Sequence, residues 1–157
     1  MVKKMLSNLG YWLLSLIFWG VFLLKYLDAW PKPSIWSLIL LAIGLVVGNL
    51  LVNIDRQWLQ PYYGGRDLMT QSLLFLLVMA PLGLFVVTST GSLLGVGLVV
   101  GFELQTTWQM IKLCCHVQTF HQTFLLQLKR QLSRPEIKVM VGLQVGVTAL
   151  LILLSLI

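Results

Sequence analysis

The stretch Thr70–Lys112 reads TQSLLFLLVMAPLGLFVVTSTGSLLGVGLVVGFELQTTWQMIK. As one helix, at about 1.5 Å per residue, it would run far past the roughly 30 Å hydrocarbon core of a bilayer. The polar cluster TSTGS at 88–92 offers a break, because Ser, Thr and Gly favour turns over helix interiors. The spacing therefore predicts a hairpin, with helices over about 70–88 and 93–112. Pro81 lies inside the first of these and frees the carbonyl of Leu77, which membrane helices tolerate.

The same criterion extends outward along the chain. A spanning helix needs about 20 mostly apolar residues. Further candidates lie at about 9–27, 35–54 and 139–157. Pro31 and Pro33 separate the first two, since each removes a backbone donor. Met1–Lys4 puts a basic front on the first segment, as in a signal peptide. The apolar run that follows is too long for one and lacks a small-residue cleavage site, so it reads as a retained anchor. The fold expected is all-α: a polytopic integral membrane bundle of about five transmembrane helices, forming a single domain over 1–157.

Composition agrees. Of 157 residues, 58% are hydrophobic and only 10% charged. Soluble domains carry about 45–50% apolar and about 25% charged residues, so a soluble enzyme and a disordered chain are both excluded. Mean hydropathy is +0.89. The net charge of +6 has a membrane explanation and does not require nucleic acid. With five spans, one side holds Lys3, Lys4, Arg56, Arg66, Lys112, Lys129, Arg130, Arg134 and Lys138, and the other only Lys25 and Lys32. By the positive-inside rule this places the N-terminus in the cytoplasm and the C-terminus outside. Fusing the hairpin into one helix would scatter these charges over both sides.

Between 113 and 134, Leu113, Val117, Phe120, Phe124 and Leu128 recur at steps of three and four, a helical apolar stripe. An amphipathic helix at the cytoplasmic interface is expected there, ended by Pro135. It covers the inner end of the bundle or contacts lipid or a partner, and the two roles are compatible. Lys112, Lys129, Arg130, Arg134 and Lys138 are candidate headgroup contacts. Glycines recur at i and i+4 in the pairs 44/48, 91/95, 97/101 and 142/146, a spacing that lets helices approach closely inside the bundle.

Three predicted helix ends direct polar residues toward one membrane face: Asp55, then Gln71 and Ser72, then Gln105 and Gln109. Glu103 lies deeper, on a different face of its helix from Gln105, because two residues are about 200° of turn. A carboxylate within a span is a candidate functional group or a hydrogen-bonded structural one. Cys114 and Cys115 are adjacent and set no disulfide framework. With His116 and His121 they are the only soft metal ligands, and the two histidines do not share a face. A metal site on one copy would need distortion; Cys114 and His121, seven apart, do share a face, which leaves an opening for a site between two copies. Ser72 has no neighbouring base in the sequence, and neither a Gly-x-Ser-x-Gly turn nor a phosphate-cradling loop occurs.

The order NID at 53–55, RDLMTQSLLF at 66–75 and GLVVGFELQTTWQ at 97–109 resembles the predicted membrane-bound metal-dependent hydrolases, small polytopic bacterial membrane proteins. The likeness covers about 40–113. It aligns Asp55 with the last Asp of an Asp-x-Asp-His element, Arg66 with the Arg of a His-Arg element, and Thr70 and Ser72 with a Thr-His-Ser element. Asn53, Arg56, Gln71, Gln105 and Gln109 stand where that family has Asp or His. Neutral amides are poor metal ligands. The resemblance therefore implies a degenerate member, without metal or cofactor, in a bacterial cytoplasmic membrane. The expected function is a non-enzymatic scaffold or accessory subunit. Its partners would be the lipid bilayer and a membrane protein or a second copy, not nucleic acid. The alternatives are a membrane-bound hydrolase and a small transporter or channel subunit using Glu103.

Overall fold

The apolar runs fold as helices throughout. A computed structural model describes residues 2–28, 34–54, 72–89, 91–125 and 130–157, with side chains of the first helix described from 10 to 25. Among these residues there are six helices and no strand: α1 (Val2–Asp28), α2 (Ile35–Ile54), α3 (Leu73–Ser89), α4 (Leu93–Leu113), α5 (Val117–Phe124) and α6 (Arg134–Leu156).

The break within the deciding stretch is present. Gly91 takes φ +56, a left-handed conformation that costs glycine little. Ser92 then caps α4, its hydroxyl accepting from the Gly95 amide at 3.3 Å. At the other end of the hairpin, Ser72 caps α3 by accepting from the Phe75 amide at 3.2 Å. α3 runs helical through Pro81.

α4 is the hub. From Val99 to Thr107 every residue is buried. Its broadest interface is with α2, and it also meets α1, α3, α5 and α6. The α2–α4 contact is backbone against backbone. A Cβ at Gly44 would meet Leu94, Leu98 and Gly97, and one at Gly97 would meet Leu41, Leu45 and Gly44. Gly48 and Gly101 repeat the arrangement one turn on. Two of the four glycine pairs are thus internal packing of the small-xxx-small kind. Gly95 faces Val86 across the hairpin, whereas around Gly142 and Gly146 nothing lies within 4 Å.

Contacts fix the helix directions. Gly44 against Leu94 and Gly48 against Phe102 make α2 and α4 parallel. Asn49 on Ser15 and Asn53 on Tyr11 make α1 and α2 antiparallel. Gly83 beside Val99 and Gly95 beside Val86 make α3 and α4 antiparallel. Val96 clusters with Ile152 and Leu156, and Met110 with Ile137 and Val141, so α4 and α6 are antiparallel. The five longer helices therefore alternate in direction.

At the end where α4 stops and α6 begins, α5 buries Phe120, Phe124 and the following Leu125 among Val52, Phe102, Met110 and Ile137. The apolar stripe thus seals one end of the bundle, as one of the two expectations had it. The helix is shorter than the 113–134 expected. α4 continues through Leu113, and the chain turns at Cys114–Cys115, where the His116 amide donates to the Leu113 carbonyl at 2.9 Å. That turn resets the helical phase. Leu128 and Lys129 lie outside the described residues. Pro135 does not end a helix; it opens α6 in the first turn, where its missing N–H costs nothing. The last helix consequently starts at Arg134 and not near 139. The Glu136 carboxylate fixes this start by accepting from the Ser133 amide and hydroxyl, each at 2.7 Å.

Among the described residues, two helices, Ile35–Ile54 and Arg134–Leu156, are long and apolar enough to cross a membrane. The apolar parts of α1 and α3, Gly10–Lys25 and Leu73–Ser89, are shorter. α4 has the length but carries Glu103, Gln105 and Gln109, polarity that its position inside the other helices shelters.

Candidate functional site

Each polar pair inside the bundle sits at i and i+4 on its helix, so both members share a face. α4 carries two such faces. Glu103 and Thr107 look toward α6, and Gln105 looks toward α2, as the 200° offset requires.

On the α6 side, the Gln144 amide donates to Glu103 Oε2 at 2.5 Å. One turn on, the Thr107 and Thr148 hydroxyls bond at 2.7 Å, and Thr148 also donates to the Gln144 carbonyl at 3.0 Å. Glu103 is 1% exposed, and its Oε1 is buried without a protein partner. This is a group of two threonines, an amide and a carboxyl held between α4 and α6.

On the α2 side lies an amide ladder. Gln105 Nε2 donates to Asn53 Oδ1 at 3.2 Å. Asn53 Nδ2 donates to its own helix at the Asn49 carbonyl (3.3 Å) and to the Tyr11 hydroxyl (3.4 Å). Asn49 Nδ2 donates to Ser15 Oγ and to the Leu45 carbonyl, both at 2.9 Å. The Ser15 hydroxyl in turn donates to the Tyr11 carbonyl at 2.9 Å. Three helices are tied through Tyr11, Ser15, Asn49, Asn53 and Gln105. Asn49 Oδ1 and Gln105 Oε1 are buried without partners. Leaving a buried acceptor unmet costs about 1–3 kcal/mol.

Of the residues expected to form one polar face, Ser72, Gln105 and Gln109 are described, and Gln105 and Gln109 share one face of α4. Asp55, Gln71 and Lys129 lie outside the described residues. Ser72 is a helix cap. Gln105 joins the ladder, and Gln109 lies one turn on, half-buried. Glu103 belongs to the opposite cluster. Sequence reasoning missed Gln144, Thr107, Thr148, Asn49 and Ser15. The available signal was the i, i+4 pairing of polar residues in otherwise apolar runs.

At the sealed end, Lys112 Nζ lies 5.3 Å over the Trp108 ring, which itself packs on Gly10. Arg130 pairs with Glu136 at 3.0 Å on the surface. Arg134 and Lys138 are exposed. The Cys114 and Cys115 sulfurs are 3.8 Å apart and unbonded. Burial, reinforced by the thiol's hydrogen bond with Cys115, pushes the Cys114 thiol up. His121 Nε2 bonds the Arg130 carbonyl at 3.0 Å. Among the described residues, no three His, Cys, Asp or Glu side chains gather where they could hold a metal ion.

No family model, curated protein or solved structure matches this chain.

Proposed function

We propose that this chain is a polytopic integral membrane protein whose five longer helices cross the bilayer, with α5 lying at the cytoplasmic end, and that it acts as a non-enzymatic scaffold or accessory subunit. The observation that carries the reading is where the polar groups go. The interior side chains of α1, α2, α4 and α6 hydrogen-bond to one another across helices, while the outside is aliphatic. Leu16, Ile17, Leu24, Leu77, Leu143 and Leu153 are all more than half exposed. Soluble monomers rarely expose large contiguous apolar patches. Alternating helix directions support the odd number of crossings. They group the α2 and α4 ends with the α3 and α6 starts, the end that carries Lys112, Arg130, Arg134 and Lys138. By the positive-inside rule this end faces the cytoplasm, and a bacterial cytoplasmic membrane is the setting the resemblance implies.

The hydrolase likeness gains one observation. Asn53 and Gln105, two positions where that family carries ligands, are in hydrogen-bond contact. Amides here support a retained geometry with bonding in place of coordination. The transporter reading rests on Glu103 alone, and that carboxyl is enclosed between α4 and α6.

Labelling tests the topology. Cys115 is exposed at the α5 end. In sealed cells, an impermeant maleimide should leave it unlabelled until the membrane is opened, while a cysteine added after Ile157 should label at once. The reverse pattern, or labelling of both, refutes the orientation. In-cell crosslinking then tests the scaffold, which predicts a reproducible membrane-protein adduct or a self-adduct; neither appearing counts against it.

A further inference from the structure

Between α1 and α2 lies a cavity of about 260 Å³, walled by Trp12, Ser15, Trp19, Ala42, Val46 and Asn49 among others. Nearly all of its surface is apolar, yet two of its wall residues carry buried polar atoms without a partner. These are the Trp19 indole nitrogen, a donor, and Asn49 Oδ1, an acceptor. The Asn49 amide cannot be turned to hide this. Its nitrogen donates to the Leu45 carbonyl, which can only accept, so the oxygen is the atom left over. Asn49 is fully buried. Both residues line the same cavity: Asn49 bonds Ser15, and Trp19 lies one turn beyond Ser15 on the same face of α1.

We propose that this groove binds an apolar chain bearing one hydroxyl group, drawn from the surrounding lipid; the lipid source rests on the membrane reading above. A hydroxyl is the smallest group that accepts from Trp19 Nε1–H and donates to Asn49 Oδ1 through a single oxygen. A carboxylate supplies no donor for Asn49, and an ammonium no acceptor for Trp19. The volume lies below that of sites for drug-sized ligands, about 300–1,000 Å³, so one chain fits and a whole two-chain lipid does not.

The test uses the full chain in phosphatidylcholine nanodiscs and two quenchers of tryptophan fluorescence, ω-bromododecanol and bromododecane. Trp12 and Trp19 in the wall report contact with bromine. The alcohol should quench saturably, at about one-tenth the mole fraction the alkane requires, the discrimination its two hydrogen bonds would supply. Ala42→Leu should fill the groove and abolish the saturable component with circular dichroism unchanged. Trp19→Phe should retain quenching of Trp12 but lose the preference for the alcohol. Linear, equal quenching by both probes overturns the proposal, as does undiminished saturable quenching in Ala42→Leu. Saturable quenching in a chain that fails the topology labelling supports the groove and removes only the lipid as its source.

Discussion

The α2–α4 contact makes the sharpest prediction. Gly48→Ala adds one methyl group where Leu98 and Phe102 present backbone, with the Phe102 nitrogen 2.8 Å from the new carbon. Non-bonded carbon contacts are comfortable at about 3.5–4.0 Å. Backbone cannot swing aside as a side-chain tip would, so the helices must part by about 1 Å. A gap of that size forfeits about a quarter to a half of each dispersion contact along the seam. Overpacking costs about 1–3 kcal/mol, and backbone on both sides places this substitution near 3 kcal/mol. Against a total stability of about 5–15 kcal/mol that is a large loss. Gly142→Ala is the control. Nothing lies within 4 Å of that position, and alanine is the better helix former, so stability should hold or rise slightly. The assay is reversible unfolding of the detergent-solubilised protein in increasing dodecyl sulfate, followed by circular dichroism. Adding Gly101→Ala to Gly48→Ala should cost less than the sum, because helices already parted leave room for the second methyl. Equal midpoints for Gly48→Ala and wild type, or equal losses for Gly48→Ala and Gly142→Ala, would refute the close-packed seam.

Three further outcomes are expected. A double-mutant cycle on Thr107→Val and Thr148→Val, read by the same unfolding assay, should give a coupling of about 0.6–1.7 kcal/mol, the range for interhelical hydrogen bonds in membranes; zero coupling would mean the 2.7 Å contact contributes nothing. Phe120→Ala should cost about 3–5 kcal/mol and loosen the sealed end, since the ring is wholly buried; unchanged hydrogen exchange at Ile137 and Val141 would contradict that packing. In single-cysteine variants at neutral pH, maleimide should react faster at exposed Cys115 than at half-buried Cys114, whose thiol is held up by burial; the gap should narrow as rising pH converts Cys114 to thiolate, and faster reaction at Cys114 would reverse the assignment.

What could be read from the chain alone divides by the range of the forces involved. The break at TSTGS was legible because glycine conformation and serine capping are local chemistry. The helix runs were legible because apolar stretches of that length have few other fates. Pro135 was misread because proline both stops one helix and starts the next, and only its neighbours Ser133 and Glu136 decide between them. The α5 stripe was correct in the face it buries and wrong in length, since Leu113 and Val117 keep helical spacing across a turn that interrupts the helix. The interior polar groups were hardest. Gln144 and Thr148 look like tolerated substitutions in an apolar run until α6 is laid against Glu103. The expectation of one polar face among Asp55, Gln71 and Gln105 grouped residues by depth. The opposite facing of Gln105 and Glu103 was legible from the 200° between them, whereas their partners on α2 and α6 were not.

The buried central helix also bears on how the chain is made. α4 buries Glu103, Gln105, Thr106 and Thr107, and it leaves the ribosome fourth of the five long helices. Alone in hydrocarbon it would face Glu103, Gln105 and Gln109 outward. α1 and α2 are already synthesised when it arrives, and Asn53 can take up Gln105 at once. Gln144 is still to come, so Glu103 must wait for the last helix. On the proposed membrane reading, a chain cut short before α6 would carry an uncovered carboxyl into the bilayer, a mark by which membrane quality control could tell it from a copy that has made α6.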